Sequence, residues 1–146
     1  MKEVSKLFFD TNVIIDAFAN RDDNNRYARD LLRRVSTGKI KGFLCSKQIT
    51  DIYYILRKYI ISENERRRVI STLLDSFEVL PLIKSVLSYS LSLPFADYED
   101  AVLYETAKIN CVDAIITSNV KDFKNSDCMV FTPKQCWDLQ NAAEPF

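Results

Sequence analysis

The chain of 146 residues contains no histidine and only two glycines, Gly38 and Gly42. The missing imidazoles exclude Ser-His-Asp and Cys-His catalysis, two-histidine ribonuclease chemistry and every His-ligated metal site. With Gly38 and Gly42 as its two glycines the chain has no Walker A loop and no GxGxxG dinucleotide fingerprint. The four cysteines, Cys45, Cys111, Cys128 and Cys136, form no Cys-x-x-Cys pair, and without histidine they complete no zinc site. They read as buried, reduced thiols. No run is apolar and long enough to span a bilayer. The charged Lys2, Glu3 and Lys6 ahead of a short apolar run do not read as a secretory signal, so a cytoplasmic protein is expected. The formal net charge is zero, from 20 basic and 20 acidic residues. That argues against gross, nonspecific nucleic-acid affinity but leaves room for a local basic groove.

What is present is apolar residue, 47% of the chain, and carboxylate. The length suits one domain, and no linker, repeat or low-complexity stretch divides it. Short apolar runs predict strands at Lys6–Phe9, Phe43–Cys45, Phe77–Leu82, Ala114–Thr117 and Met129–Phe131. They show little alternation, as expected of parallel strands covered on both faces. Between them the pattern predicts helices at about Asn12–Ala19, Asn24–Ser36, Lys47–Ile60, Glu63–Ser76, Ser85–Ser92, Tyr98–Ile109 and Pro133–Asn141. Ser62 opens a Ser-x-x-Glu capping box, and Thr132-Pro133 supplies a cap followed by proline at the first helical position. The expected architecture is a three-layer α/β/α sandwich around a central, mostly parallel sheet of about five strands.

In such sheets ligands collect beyond the carboxyl ends of the strands. Asp10 ends the first predicted strand in Leu7-Phe8-Phe9-Asp10-Thr11-Asn12, and Thr117-Ser118-Asn119 ends the fourth. Asp97 and Asp100 lie three residues apart at a predicted helix start, hence on one face, with Tyr104 and Ala107 continuing that stripe inward. Glu99 points elsewhere. Crowded carboxylates repel one another and hold their protons more tightly; a divalent cation removes that cost, and Mg²⁺ or Mn²⁺ suits an all-oxygen site rich in water. Each acid also has a simpler reading. Asp10 and Asp97 can be helix caps, Asp100 can answer the helix dipole, Asp51 can face solvent from an apolar helix, and Asn119 can be a turn residue. Asp16, about two-thirds of a turn out of phase with Asp10, is assigned to the surface.

Taken in order, these stretches resemble the PIN-domain family over nearly the whole chain. Leu7–Val13 is similar to the family's opening strand and first metal-binding aspartate, and Asp97-Tyr98-Glu99-Asp100-Ala101 to its central acidic motif. Asp113–Phe123 is similar to its closing strand and following turn, and Phe131-Thr132-Pro133 to the last strand and helix. The resemblance implies a Mg²⁺- or Mn²⁺-dependent ribonuclease hydrolysing phosphodiester bonds in single-stranded RNA. It implies Asp10 and Asp100 as metal ligands and Asp97 as a further acid. Thr11, Asn12 and Ser118 would hold the carboxylates in place. Many small prokaryotic members are toxins of toxin–antitoxin pairs, which implies an antitoxin partner and a homodimer. The chain departs from the family pattern twice. Asp51 stands where a longer Glu is usual, and Asn119 where many members carry a fourth acid.

Arg26, Arg29 and Arg33 recur at helical spacing, with Arg21 and Arg34 nearby, and could meet RNA phosphates. Asp30, one turn from Arg26 and Arg34, makes local ion pairing the alternative. Asp122 is expected to face outward. Two other functions stay open: a catalytically inactive PIN-like module that binds RNA or protein, and a flavodoxin-like phosphoacceptor or nucleotide-binding domain. The second would normally place an adjacent acidic pair after its first strand, whereas the neighbours of Asp10 are Phe9 and Thr11.

Overall fold

The computed structural model describes residues 5–19 and 25–143. The chain alternates strands and helices. These are β1 (Lys6–Phe9), α1 (Thr11–Ala19), α2 (Asn25–Ser36), β2 (Lys41–Cys45), α3 (Ser46–Leu56), α4 (Glu63–Ser76), β3 (Glu78–Leu80), α5 (Lys84–Ser90), α6 (Tyr98–Ile109), β4 (Ala114–Ile116), β5 (Met129–Phe131) and α7 (Pro133–Ala143). The strands form one parallel sheet in the order β3-β2-β1-β4-β5. Flavodoxin-like sheets instead run β2-β1-β3-β4-β5, which removes the main structural support for that alternative.

The pleat explains why the strands lack polar alternation. Leu7 and Phe9 of β1, with Ala114 and Ile116 of β4, face a core built with α1, α2, α3, α4 and α7. Phe8 and Ile115 point to the opposite face, where Leu103, Tyr104 and Ala107 of α6 cover them. Both faces are buried, so both sets are apolar. The three-layer arrangement expected from the sequence is the one observed.

Several boundaries moved. β2 begins at Lys41, which pairs in register with Lys6. β3 keeps only three residues. α3 stops at Leu56 because the next amides shift partner: Lys58 N–H donates to Ile55 O (3.1 Å) and Tyr59 N–H to Leu56 O (3.0 Å), three residues back instead of four. Both caps read from the sequence are present. Ser62 Oγ accepts from Glu65 N–H, and Thr132 Oγ1 from Gln135 N–H, with Gln135 Oε1 accepting from Thr132 N–H in return. Gly42 is needed for close packing: a Cβ there would sit 2.7–2.8 Å from the Phe77 ring and Val35 Cγ1. All four cysteines are free, but only Cys45 and Cys136 are buried; Cys111 is exposed in the turn after α6 and Cys128 half-exposed, which corrects the reading of all four as buried. No helix among the described residues is long and apolar enough to cross a membrane.

Candidate active site

The strand order reverses between β1 and β4, and their carboxyl ends open on the same edge. Asp10 leaves β1 there. Its N–H donates to Ile116 O of β4 (2.8 Å), so its backbone ties the two strands together. One carboxylate oxygen, Oδ1, accepts from Thr11 N–H at the start of α1 (2.8 Å); the other, Oδ2, accepts from the Thr117 hydroxyl (2.8 Å). Thr117 is fully buried and in turn accepts from Asn119 N–H (3.1 Å), so its own proton is directed at Asp10. A carboxylate offers about four lone-pair sites, and two donors leave room for a further partner.

Gln48 braces the other side. It is fully buried; its Oε1 accepts from Cys45 N–H (2.7 Å), and its Nε2 donates to Phe9 O (2.8 Å) and Thr11 Oγ1 (3.2 Å). The end of β1, the end of β2 and the start of α3 thus share one amide. Neither Thr117 nor Gln48 was expected in a supporting role. Thr117 was visible as the polar residue closing the apolar run Ala114–Ile116. Gln48 offered only its place three residues after Cys45, the spacing of a capping bond.

Asp97 is the N-cap of α6, its Oδ1 accepting from Asp100 N–H (3.1 Å). Its cap role is therefore real, and it also brings its charge beside Asp100. Burial pushes the Asp100 carboxyl up to about 7, and the charges of Asp10, Asp97, Asp122 and Glu99 add to the push. Asp10 is also raised, chiefly by burial; the Thr117 and Thr11 bonds pull it back, and Asp122 and Glu99 repel it. The structure thus brings Asp10, Asp97 and Asp100 into one negative field. Asp122 and Glu99 are exposed, as expected, but their charges add to that field.

Asp51 is placed differently. Lys47 Nζ engages its Oδ2 (2.5 Å) and reaches across to Glu99 Oε1 (3.1 Å), joining α3 to α6. Burial lowers the Lys47 ammonium, but its bonds to Asp51 and Glu99 outweigh that and hold it above its ordinary value. The shorter acid at this position is occupied by a lysine one turn before it. Asn119 is exposed and precedes a 3-10 turn, Val120–Phe123; it contributes its N–H to Thr117. Ser118 was expected to support Asp10. Its hydroxyl lies instead 3.2 Å from Asp16 Oδ2 and donates to it, which also brings Asp16 to the site's rim. Thr11 is buried beside Gln48, whereas Asn12 is exposed. Asp113 lies at the opposite edge of the sheet and accepts from Ser5 and Lys6 N–H. Arg26, Arg29 and Arg33 stand together on α2, and Arg21 lies outside the described residues.

Among the described residues no three Asp, Glu or Cys side chains are placed to enclose a metal ion. The site does fit a hard cation that keeps most of its waters and takes one or two carboxylates, as Mg²⁺ does. Asp10 and Asp100 both resist ionisation while crowded together, and the Lys47 ammonium on the neighbouring α3 is committed to Asp51 and Glu99.

Residues 6–121 match the family model of the PIN domain. Ribonuclease VapC1 of Aquifex aeolicus (strain VF5) is 30% identical over 141 residues, covering 93% of this chain and 96% of that protein. A toxin–antitoxin complex from Klebsiella pneumoniae superimposes with a TM-score of 0.65 at 25% identity, covering 87% of this chain and 97% of that one. VapBC2 from Rickettsia felis, bound to a DNA fragment from its promoter, shares the fold with a TM-score of 0.63 at 14% identity over 86% and 97% of the two chains. With the match extending over most of the sequence, the chain belongs to the PIN-domain family.

Proposed function

We propose that the protein is a Mg²⁺- or Mn²⁺-dependent endoribonuclease that hydrolyses single-stranded RNA and acts as the toxin of a toxin–antitoxin pair. The observation that carries this reading is the convergence of Asp10 and Asp100 at the sheet's switch point, close enough that the charge of Asp10 raises the pKa of Asp100. In a chain without histidine, that pair is the strongest chemical resource. Asp10 and Asp100 would hold the ion, with Asp97 contributing charge beside them. When bound, the ion supplies neutralisation of the phosphate's charge and activation of the attacking water. The rest is the work of this chain. Thr117 and Thr11 fix the direction of the Asp10 carboxylate, and Gln48 fixes the strand end that carries it. Asp97 anchors the first turn of α6, so Asp100 is carried on a rigid element.

An antitoxin and a second copy of the chain are the proposed protein partners. Exposed Tyr54, Ile61 and Leu74 around α3 and α4, with Tyr89 and Leu91 by α5, offer apolar surface for them. The similarity to a toxin–antitoxin complex from Klebsiella pneumoniae supports the same reading.

The test is cleavage of single-stranded RNA by purified protein with Mg²⁺ or Mn²⁺, beside an Asp100→Asn variant. Cleavage should be lost in EDTA and in the variant; equal cleavage by the variant would overturn the site. A catalytically inactive RNA- or protein-binding module is the second reading, favoured by the engagement of Asp51 with Lys47. RNA or partner binding without cleavage of any RNA would support it.

A further inference from the structure

α2 and α7 pack together and leave a cleft of about 440 Å³, lined by Arg26, Tyr27, Arg29, Asp30, Arg33 and Trp137. The lining carries three guanidinium groups and one carboxylate. That carboxylate is already engaged: Asp30 Oδ2 accepts from Trp137 Nε1 (2.7 Å) and lies 3.2 Å from Arg34 Nη2. Arg33 comes no nearer than 3.7 Å to the other oxygen, and its side chain is 73% exposed. Arg29 donates to the neutral Asn25 Oδ1, and Arg26 stands 4.6 Å over the Tyr27 ring. The cleft therefore has surplus positive charge beside an aromatic pair, Tyr27 and Trp137, whose rings meet edge to face at 5.3 Å.

A second cleft of about 310 Å³ shares Tyr27 with the first and carries Lys134 and Thr132. Its far wall is Ser118 and Asp16, the hydrogen-bonded pair at the rim of the carboxylate site. The two clefts share Tyr27, and the second reaches Ser118, next in the chain to the Thr117 that holds Asp10; end to end they form a path from the rim of the carboxylate site to the arginines of α2. We infer that this path is the track for the single-stranded RNA on one side of the scissile bond, with Arg26, Arg29 and Arg33 on backbone phosphates and a base against the half-exposed Trp137. An aromatic face among cations suits a nucleic-acid strand, whose bases stack, better than an acidic polypeptide. The assignment rests on the nuclease reading for the identity of the strand, but its test is binding.

Trp137 is the chain's single tryptophan, so its fluorescence reports on the cleft directly. The full chain in EDTA is titrated with a mixed-sequence, 2′-O-methylated single-stranded RNA, and with poly-glutamate as the acidic polypeptide. RNA should change Trp137 emission saturably. An Arg26→Ala/Arg33→Ala double variant should bind about tenfold or more weakly, and its slope of log affinity against log salt should fall in magnitude by roughly 1.4, from two lost phosphate contacts at about 0.7 each. Both arginines are exposed, so the fold should be kept, as far-UV circular dichroism would check; Arg33→Glu alone gives a second measure. Unchanged affinity and salt slope in the double variant would overturn the track. So would RNA binding that leaves Trp137 emission unaltered, or a response to poly-glutamate and not to RNA. The two proposals fail separately. Binding at this cleft without cleavage by wild type sustains the track and sinks the nuclease; cleavage with an unchanged KM in the double variant does the reverse.

Discussion

Replacing Asp100 by Asn should stabilise the metal-free protein. In the fold its carboxyl is pushed from 3.8 up to about 7 by burial and by Asp10, Asp97, Asp122 and Glu99. Between those values the folded protein keeps a proton that the unfolded chain has released. Stability therefore falls as pH rises from about 4 to about 7 and is level above that. The full displacement corresponds to roughly 4 kcal/mol. Asp100 is only half-buried, and solvent screening reduces the recoverable part to about 1–2 kcal/mol. For a chain of this size that is roughly 3–8 °C in Tm. Differential scanning fluorimetry in EDTA at pH 8 should show this gain, and at pH 5, low in the titration window, a clearly smaller one. Adding Mg²⁺ or Mn²⁺ should raise the wild-type Tm, by about 2.7 kcal/mol of stability at a hundredfold excess over Kd, and move the variant much less. Equal gains at both pH values, or a less stable variant, would refute the electrostatic account of the site.

Three further substitutions test its supports. Thr117→Val removes the hydroxyl donated to Asp10; the apo-protein's stability should drop by about 1 kcal/mol, and isothermal titration calorimetry should show weaker Mn²⁺ binding, whereas unaltered metal affinity would mean Thr117 only packs. Gln48→Leu strands Cys45 N–H and Phe9 O without their side-chain partner, and urea unfolding should record a loss of about 2–3 kcal/mol; a neutral result would show that the amide is dispensable. Gly42→Ala drives a methyl group into Phe77 and Val35, so the same assay should give a loss of about 1–3 kcal/mol from overpacking, and an unchanged midpoint would refute the tight approach.

The layers of this fold were legible because β1 and β4 are buried on both faces, and two-sided burial leaves an unbroken apolar run that any reading detects. Asp10, Asp97 and Asp100 were legible for a related reason: strand ends and helix starts are punctuated locally. The remainder depends on which side chains turn inward across the sheet. Thr117 and Ser118 are adjacent hydroxyls of nearly equal chemistry; the backbone at the end of β4 aims Thr117 at Asp10 and Ser118 at Asp16, and nothing in the pair itself decides that. Lys47 and Asp51 stand four residues apart, a pairing that helical spacing alone would have suggested. Its extension to Glu99 crosses 52 residues and needs the starts of α3 and α6 brought to one edge of the sheet. Asp122 and Glu99 do face outward, but their repulsion of Asp100 is felt through space and is not legible from their own elements.

The two central carboxylates are built differently, and the difference bears on how a cation would act. Asp10 is pinned by two donors, one on each oxygen, and both bonds favour its charged form against the cost of burial. Asp100 is pushed up to about 7, by burial first and then by four neighbouring acids. A cation entering between them therefore gains most from relieving Asp100, while Asp10 supplies the fixed direction of approach. Since a ligand must be deprotonated to bind, metal affinity should climb as pH rises through about 7 and then level off, with Asp100 setting the midpoint. Calorimetric Mn²⁺ titrations across that range measure it, with release of a proton on binding below the midpoint and none well above. An affinity that is flat from pH 5 to pH 8 would mean that Asp100 is not a ligand, and that Asp10 binds with some other partner.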